Sequence, residues 1–442
     1  MPRTGDCSNS NGVTAPAAHR TIEAIFRIES AKLIAGLARM VRDVGLAEEL
    51  AQDALVAALE RWPEAGVPDN PGAWLMSTAK NRAIDRLRRN KRLGRKQEEL
   101  GHAILAEGEL AAPDLDAALD EDVHDDLLRL VFTACHPVLS TEARVALTLR
   151  LLGGLTTDEI ARAFLVPEPT VAQRIVRAKR TLAERQVPFE VPRGPELVAR
   201  LGSVLEVIYL VFNEGYSATA GDDWMRPGLC EDALRLGRIL AELLLAEPEV
   251  HGLVALMEIQ ASRLRARTGP AGEPILLLDQ DRGRWDHLLI HRGLVALARA
   301  EALGGAPGPY ALQAAIAACH ARAHTPGETD WLRIATLYDA LAQLVPSPVV
   351  DLNRAVAHGM AFGPAAGLAI VDRLRAEPSL AAYHLLPSVR GDLLAKLGRF
   401  GEARGEMERA ASLTRNARER TLLLARAAEL PSRDEAGGGL GR

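Results

Sequence analysis

Two prolines set between two apolar stripes of helical spacing constrain this chain more than any other feature. In Val166-Pro-Glu-Pro169 a helix interior cannot continue, whereas a first turn tolerates proline, so one helix stops there and another starts. Upstream, Thr156-Thr-Asp-Glu159 reads as a capping box, with Thr156 and Glu159 each accepting from the other's backbone N–H. Ile160, Ala161 and Phe164 supply the apolar face of that helix. Downstream, Val171, Ile175, Ala178 and Leu182 fall on one stripe of a helix over about 170–184. Thr170, Gln173, Arg174, Arg177 and Arg180 point the other way. Arginine seeks phosphate, and glutamine can pair bidentately with adenine in the major groove, so this face suits DNA. A helical hairpin with a merely solvated polar face fits the same pattern.

The rest of the chain speaks the same helical language. Aromatic residues are only 4% of the 442, while Ala, Leu and Arg are plentiful, a balance that favours helix over strand. The net charge of −5 excludes a chain that is basic throughout, so a nucleic-acid surface has to be local. Between Arg82 and Lys96 stand eight basic residues (Arg82, Arg86, Arg88, Arg89, Lys91, Arg92, Arg95, Lys96) against the single acid Asp85. Helical spacing puts Trp74, Thr78, Asn81, Asp85 and Arg88 on one arc, bordered by Arg82, Arg86 and Arg89. Leu75, Met76, Ala79, Ala83, Ile84 and Leu87 occupy another arc, towards a core. A basic patch of this kind binds phosphates with salt-dependent affinity. On the preceding helix, about 46–62, Leu46, Leu50, Ala54 and Ala57 form an inward stripe. Glu48, Glu49, Gln52 and Asp53 are thereby left at the surface.

Composition divides the chain into a tail (1–18), a helical block (19–93), an acidic linker (94–122), a second helical block (123–187) and a proline-rich hinge (188–195). Helical periodicity then continues over 196–430, before a Gly-rich tail, 431–442. No apolar run is long enough to span a bilayer. Cys7, Cys135, Cys230 and Cys319 are too scattered for a zinc knuckle or redox dithiol and fit reduced thiols in the cytoplasm. Cys135-His136 and the pair His287 and His291 lack further ligands at a supporting spacing. No nucleophile–base set or phosphate loop is present either. No catalytic residue, metal or cofactor is expected, and the chain does not read as an enzyme.

Three motifs carry a resemblance to bacterial RNA polymerase sigma factors of the extracytoplasmic-function type. Leu46-Ala-Glu-Glu-Leu-Ala-Gln-Asp-Ala-Leu55 resembles the region 2 helix that docks on the polymerase clamp, which implies that Glu49, Gln52 and Asp53 face core polymerase. Trp74-Leu-x-x-x-Ala-x-Asn-x-x-x-Asp-x-x-Arg88 resembles the helix that reads the minus-ten element. The resemblance gives Thr78, Asn81, Arg82, Arg86, Arg88 and Arg89 to that element. It also makes the preceding loop, about 63–71, the receiver of a flipped base, with Trp74 a packing residue. Leu155-Thr-Thr-Asp-Glu-Ile-Ala161, Val166-Pro-x-x-Thr-Val171 and Arg174-x-x-Arg-Ala-Lys179 look like region 4, the reader of the minus-thirty-five element. Thr170, Gln173, Arg174 and Arg177 would contact that element, and region 4 would sit on the polymerase flap. Pro169 stands where the family usually has Gly, and Ala172 and Val176 stand where relatives present larger side chains, so which bases are read is left open.

The resemblance covers 19–187, and the extension beyond it is the larger part. Phe400-Gly-Glu-Ala-Arg-Gly405 echoes Phe362-Gly-Pro-Ala-Ala-Gly367, and Leu394-Ala-Lys-Leu-Gly-Arg-Phe-x-Glu-Ala403 resembles a tetratricopeptide turn. Helices are expected over 285–303, 331–344, 349–358 and 388–397. The fold class is therefore all-α: a region 2 helical domain, a region 4 helix-turn-helix domain and a tetratricopeptide-like helical repeat domain. Tyr209-Leu-Val-Phe-Asn-Glu-Gly-Tyr216 and Arg226-Pro-Gly-Leu-Cys-Glu-Asp-Ala-Leu-Arg235 resemble motifs of a sigma subgroup with such tails. Two roles fit the first of these: a docking surface, between domains or for a regulator, or a local one in which Gly215 caps a helix and Tyr216 packs against it. The expected partners are core polymerase, promoter DNA, and a protein or small-molecule regulator at the extension. The competing reading, a repressor or activator using the helix-turn-helix alone, leaves the first block unexplained.

Overall fold

The computed structural model describes residues 15–98, 121–164, 166–218, 222–270 and 272–431. Every regular element among them is helical, and a lone bridge joins Thr268 and Pro274. They form two compact units that divide after Val207, except that Ala163 and Phe164 at the end of the sixth helix group with the second.

The first unit opens with α1 (Ala15–Val41), α2 (Val44–Ala65) and α3 (Pro71–Glu98). Arg42, at φ +53°, turns the chain between α1 and α2, and Asp43 caps α2 by accepting from Leu46 N at 2.9 Å. Ile22, Ile34 and Leu37 of α1 pack with Leu50, Ala54 and Trp62 of α2 and with Leu75, Ala79 and Ala83 of α3. Ala47 and Ala51 join the core and Leu46 is only half-buried, so the α2 stripe is broader than its spacing predicts.

The tail and linker expectations shift at their edges. Helix α1 starts at Ala15, inside the expected tail, and residues 1–14 lie outside the described residues. Helix α3 runs on to Glu98 and α4 begins at Glu121, so both ends of the expected linker are helical. Gly94 costs a helix only about 1 kcal/mol relative to alanine, which the Arg, Lys and Gln around it can carry. Residues 99–120 lie outside the described residues, as does all of the expected tail 431–442 except Pro431.

Next come α4 (Glu121–Ala134), α5 (Thr141–Leu151), α6 (Thr157–Phe164) and α7 (Glu168–Glu184). The α5–α6 turn requires both of its glycines. A Cβ on Gly153 would lie 2.5 Å from the Leu149 carbonyl oxygen, and Gly154 adopts φ +70°. The unit ends with the first half of α8 (Pro195–Tyr216). Arg200 of α8 donates to Phe132 O at 3.0 Å, Ser203 Oγ donates to Cys135 O at 2.7 Å, and Arg144 pairs with Glu206 at 3.1 Å.

The second unit continues with α9 (Pro227–Leu243), α10 (Pro248–Ala261), α11 (His287–Ala302), α12 (Pro309–Arg322), α13 (Trp331–Leu344) and α14 (Pro348–Phe362). It closes with α15 (Pro364–Leu374), α16 (Leu385–Lys396), α17 (Phe400–Leu413) and α18 (Ala417–Glu429). Helices α9, α10, α12, α14 and α15 start on proline, whose preset φ and missing N–H suit a first turn. From α9 onward each helix packs mainly on its chain neighbours, with α10 also against α12. The last helix is tied back to the start of the unit. Asn416, the N-cap of α18, is buried and donates to Asp223 O at 2.8 Å and Ala218 O at 3.3 Å. Asn416→Ala removes the cap and strands both carbonyls, so a stability loss of about 2–3 kcal/mol is expected, read by faster hydrogen exchange in α18.

Candidate nucleic-acid interface

Helix α7 is built as its stripe predicts. Val171, Ile175, Ala178 and Leu182 are all buried. The capping box before α6 is formed: Glu159 N donates to Thr156 Oγ1 at 3.1 Å, and Thr156 N donates to Glu159 Oε2 at 2.8 Å. Gln173 and Arg177 are exposed, whereas Thr170 and Arg174 are half-buried. Arg180 is held by Glu184 at 2.6 Å, and Val176 lies exposed on the same helix.

On α3, Asn81, Arg86 and Arg88 are exposed, and Thr78 and Arg82 are half-buried; the side chain of Arg89 lies outside the described residues. Ile84, placed towards the core by its spacing, is 39% exposed. Its arc drifts off the α1–α2 surface that buries Leu75, Ala79 and Ala83. Trp74 packs edge-on against Trp62 with ring centroids 5.2 Å apart. Residues 63–65 complete α2, so the loop before α3 is 66–70, and Asn70 caps α3 by accepting from Ala73 N at 3.0 Å.

The two groups assigned to polymerase and DNA touch one another. Arg86 pairs with Glu49 at 3.0 Å, and Arg82 lies 3.8 Å from the Asp53 carboxylate and donates to its carbonyl oxygen. Glu49 and Asp53 are exposed, and Gln52 is half-buried. Exposed pairs of this kind are worth about 0.2–1 kcal/mol, so a stronger partner easily exchanges them.

Glu48 corrects the reading of α2. It is not at the surface: it is 4% exposed and meets Arg150 Nε of α5 at 2.6 Å and the Lys179 ammonium of α7. Helical spacing sets Glu48 on the polar side, but α5 and α7 cover that side. Two further pairs join the same halves of the unit, Arg27–Glu159 at 2.5 Å and Arg39–Asp126 at 3.1 Å. Sequence reasoning missed Arg27, Arg150 and the role of Lys179, whose partners lie far along the chain and leave no local pattern.

Elsewhere, the Cys135 thiol is buried 3.3 Å from Thr148 Oγ1, and burial pushes it up to about 11. Burial also lowers His136. His287 and His291 are both exposed on α11. Among the described residues no cluster of three or more His, Cys, Asp or Glu could hold a metal, and no helix is long and apolar enough to cross a membrane. Gly215 does not cap α8 but sits inside it, where a Cβ would fall 2.7 Å from Cys230 N. It is the point where α8 and α9 approach closely.

Comparison with known proteins fits this geometry. The family Sigma-70 region 2 matches residues 26–93, which hold α2 and most of the basic run of α3, and Sigma-70 region 4 matches 129–182, which hold α6 and nearly all of α7. The ECF RNA polymerase sigma factor SigK of Mycobacterium tuberculosis (strain ATCC 25618 / H37Rv) is 30% identical over 148 residues, 33% of this chain and 74% of SigK. The chain belongs to the ECF sigma factors. A probable ECF sigma factor, SigI of Mycobacterium tuberculosis (strain CDC 1551 / Oshkosh), is 27% identical over 183 residues, 41% of this chain and 61% of SigI. This sigma factor is longer than the matched parts of both. An uncharacterized protein of Rhizobium meliloti (strain 1021), R00370, is 46% identical over 385 residues, 87% of this chain and 89% of its own length. Residues 200–301 match a family described as one of unknown function, DUF6596. Sigma factors are DNA-binding initiation factors and not enzymes, and membership implies core RNA polymerase and promoter DNA as partners.

Proposed function

We propose that this sigma factor, acting in the cytoplasm, brings core polymerase to promoters through modules at 19–93 and 123–187. Glu49, Gln52 and Asp53 dock on the clamp, and region 4 docks on the flap. Thr78, Asn81, Arg82, Arg86, Arg88 and Arg89 read the minus-ten element, and the 66–70 loop receives a flipped base whose capture lowers the free energy of the open strand. Thr170, Gln173, Arg174 and Arg177 read the minus-thirty-five element. The extension, 196–430, is a tetratricopeptide-like stack that regulates initiation in cis or through a bound partner.

The observation that carries this reading is α7, which buries its whole apolar stripe and keeps Gln173 and Arg177 exposed. A second observation bears on how the protein is stored. The two elements lie about 25 base pairs apart, about 85 Å at about 3.4 Å per pair. Helices α3 and α7 belong to one compact unit, joined by Glu48 and the Arg27 and Arg39 pairs. The free chain is thus a closed form, and engaging both elements separates the two halves.

The test is transcription from a cognate promoter by full-length protein with core polymerase. Asp53→Arg is expected to weaken core binding about tenfold while Arg88→Ala leaves it unchanged and weakens promoter binding. A protein that never co-purifies with core polymerase would sink the reading, and unchanged core affinity in the Asp53 variant would sink the docking surface. A chain ending after Val207 tests regulation: unchanged activity and unchanged response would remove the role given to the extension.

A further inference from the structure

The second unit gathers three arginines that, among the described residues, no carboxylate pairs. Arg267 is 8% exposed, and its guanidinium lies 3.6 Å over the centre of the Tyr216 ring and 5.6 Å from that of Trp224. Arg263, half-buried, lies 5.7 Å from Tyr216 and 5.8 Å from Trp285, and Arg282 lies 4.9 Å from the same tryptophan. The Nε atoms of all three are buried and have no hydrogen-bond partner among the described residues. Arg282 is anchored, donating to His320 O at 2.7 Å, Ala323 O at 2.6 Å and Thr329 Oγ1 at 3.2 Å. No ion pair forms at any of the three among the described residues. Glu328, whose charge reaches Arg282, is exposed and already accepts from His324 N and Thr325 Oγ1.

Such a cluster is costly. A buried charge without a counter-charge destabilises a fold, and like charges side by side add to it. The neighbouring groups feel the same field. Burial, then repulsion from Arg263 and Arg282, pushes His320 down to about 4. Burial lowers Arg267 too; its interaction with Tyr216 offsets part of that, and Arg263 repels it. Aromatic faces stabilise cations only in part. What satisfies a guanidinium fork is a group with two or more anionic oxygens, held bidentately. The site also accounts for the Tyr209–Tyr216 motif. Tyr216 floors it.

We propose that Arg263 and Arg267, backed by Arg282, form a binding site for the oxyanion of a small ligand, a carboxylate or a phosphate group. Its use as a regulatory input rests on the role proposed above for the extension, but the binding itself does not. The probes are inorganic phosphate and succinate, each added to the full-length protein against sodium chloride of matched ionic strength. Thermal unfolding of the wild type is expected to rise by about 5 °C at saturation. A response to phosphate alone identifies a phosphate ligand, and one to succinate alone a carboxylate. Arg267→Met should abolish the response and, with no oxyanion present, melt at least as high as the wild type, because a buried repulsion is gone. A purely structural arginine would give a lower melting point instead. Arg263→Gln, at the more exposed edge, should abolish the response without disturbing the fold. The proposal is overturned if neither anion acts beyond chloride, or if either variant responds like the wild type. Binding without any change in transcription would overturn only the regulatory role.

Discussion

Glu48→Gln is expected to lower the unfolding free energy of the first unit by about 3 kcal/mol, read in urea through Trp62 and Trp74. Glu48 is almost fully buried and is shared between Arg150 and Lys179. Removing one partner from a buried pair costs about 3–5 kcal/mol, because the other charges stay behind unpaired. Arg150 and Lys179 still reach water at 20% and 23%, which moves the value to the low end of that range. Replacing Glu48 and Lys179 together by methionine should recover part of the loss, since apolar residues of similar volume can replace a buried pair at little cost. The same variants should loosen the closed form, so labels on α2 and α7 should move apart in Glu48→Gln. An unchanged urea midpoint would mean that the contact contributes nothing to holding the halves together.

Gln173→Ala is expected to reduce affinity for the cognate promoter by about 5- to 150-fold, or about 1–3 kcal/mol, and to leave binding to unrelated duplex nearly unchanged. A bidentate pair with a base edge discriminates by that much and contributes little elsewhere. Arg177→Ala should behave differently, weakening both kinds of duplex and reducing the slope of log affinity against log salt by about one, as for one lost phosphate contact. Titrations at three or more salt concentrations separate the two. If Gln173→Ala weakened all duplexes equally, the glutamine would be positioning the helix and not reading sequence. Both side chains are exposed on α7, so neither change is expected to disturb folding.

What was legible in the sequence is what is decided within a few residues. The capping box at Thr156 and Glu159, the proline start of α7 and the stripe from Val171 to Leu182 depend on groups less than four turns apart. Their spacing therefore foretold both the helices and the exposure of Gln173 and Arg177. Helix α13 coincides with the expected 331–344, and its cap, Asp330, is likewise local. The cap, one of the two roles that fitted Gly215, came from a pattern, a glycine near a helix end before an aromatic, that caps share. The reason for the glycine is a backbone across a crossing, at Cys230.

The sequence by itself determined the all-α fold class, helices α3 and α7 and the basic run on α3, because helix propensity, capping and periodicity are local properties. Only the tertiary structure decided that Glu48 is buried, that Arg82 and Arg86 lean on Asp53 and Glu49, and that Tyr216, Arg263, Arg267 and Arg282 meet. The nearer partner of Glu48 in sequence, Arg150, is 102 residues away, and whether a charge lies in water or against another charge depends on which helix covers it. No periodicity carries that information, since the same polar face is solvated or sealed according to what folds over it.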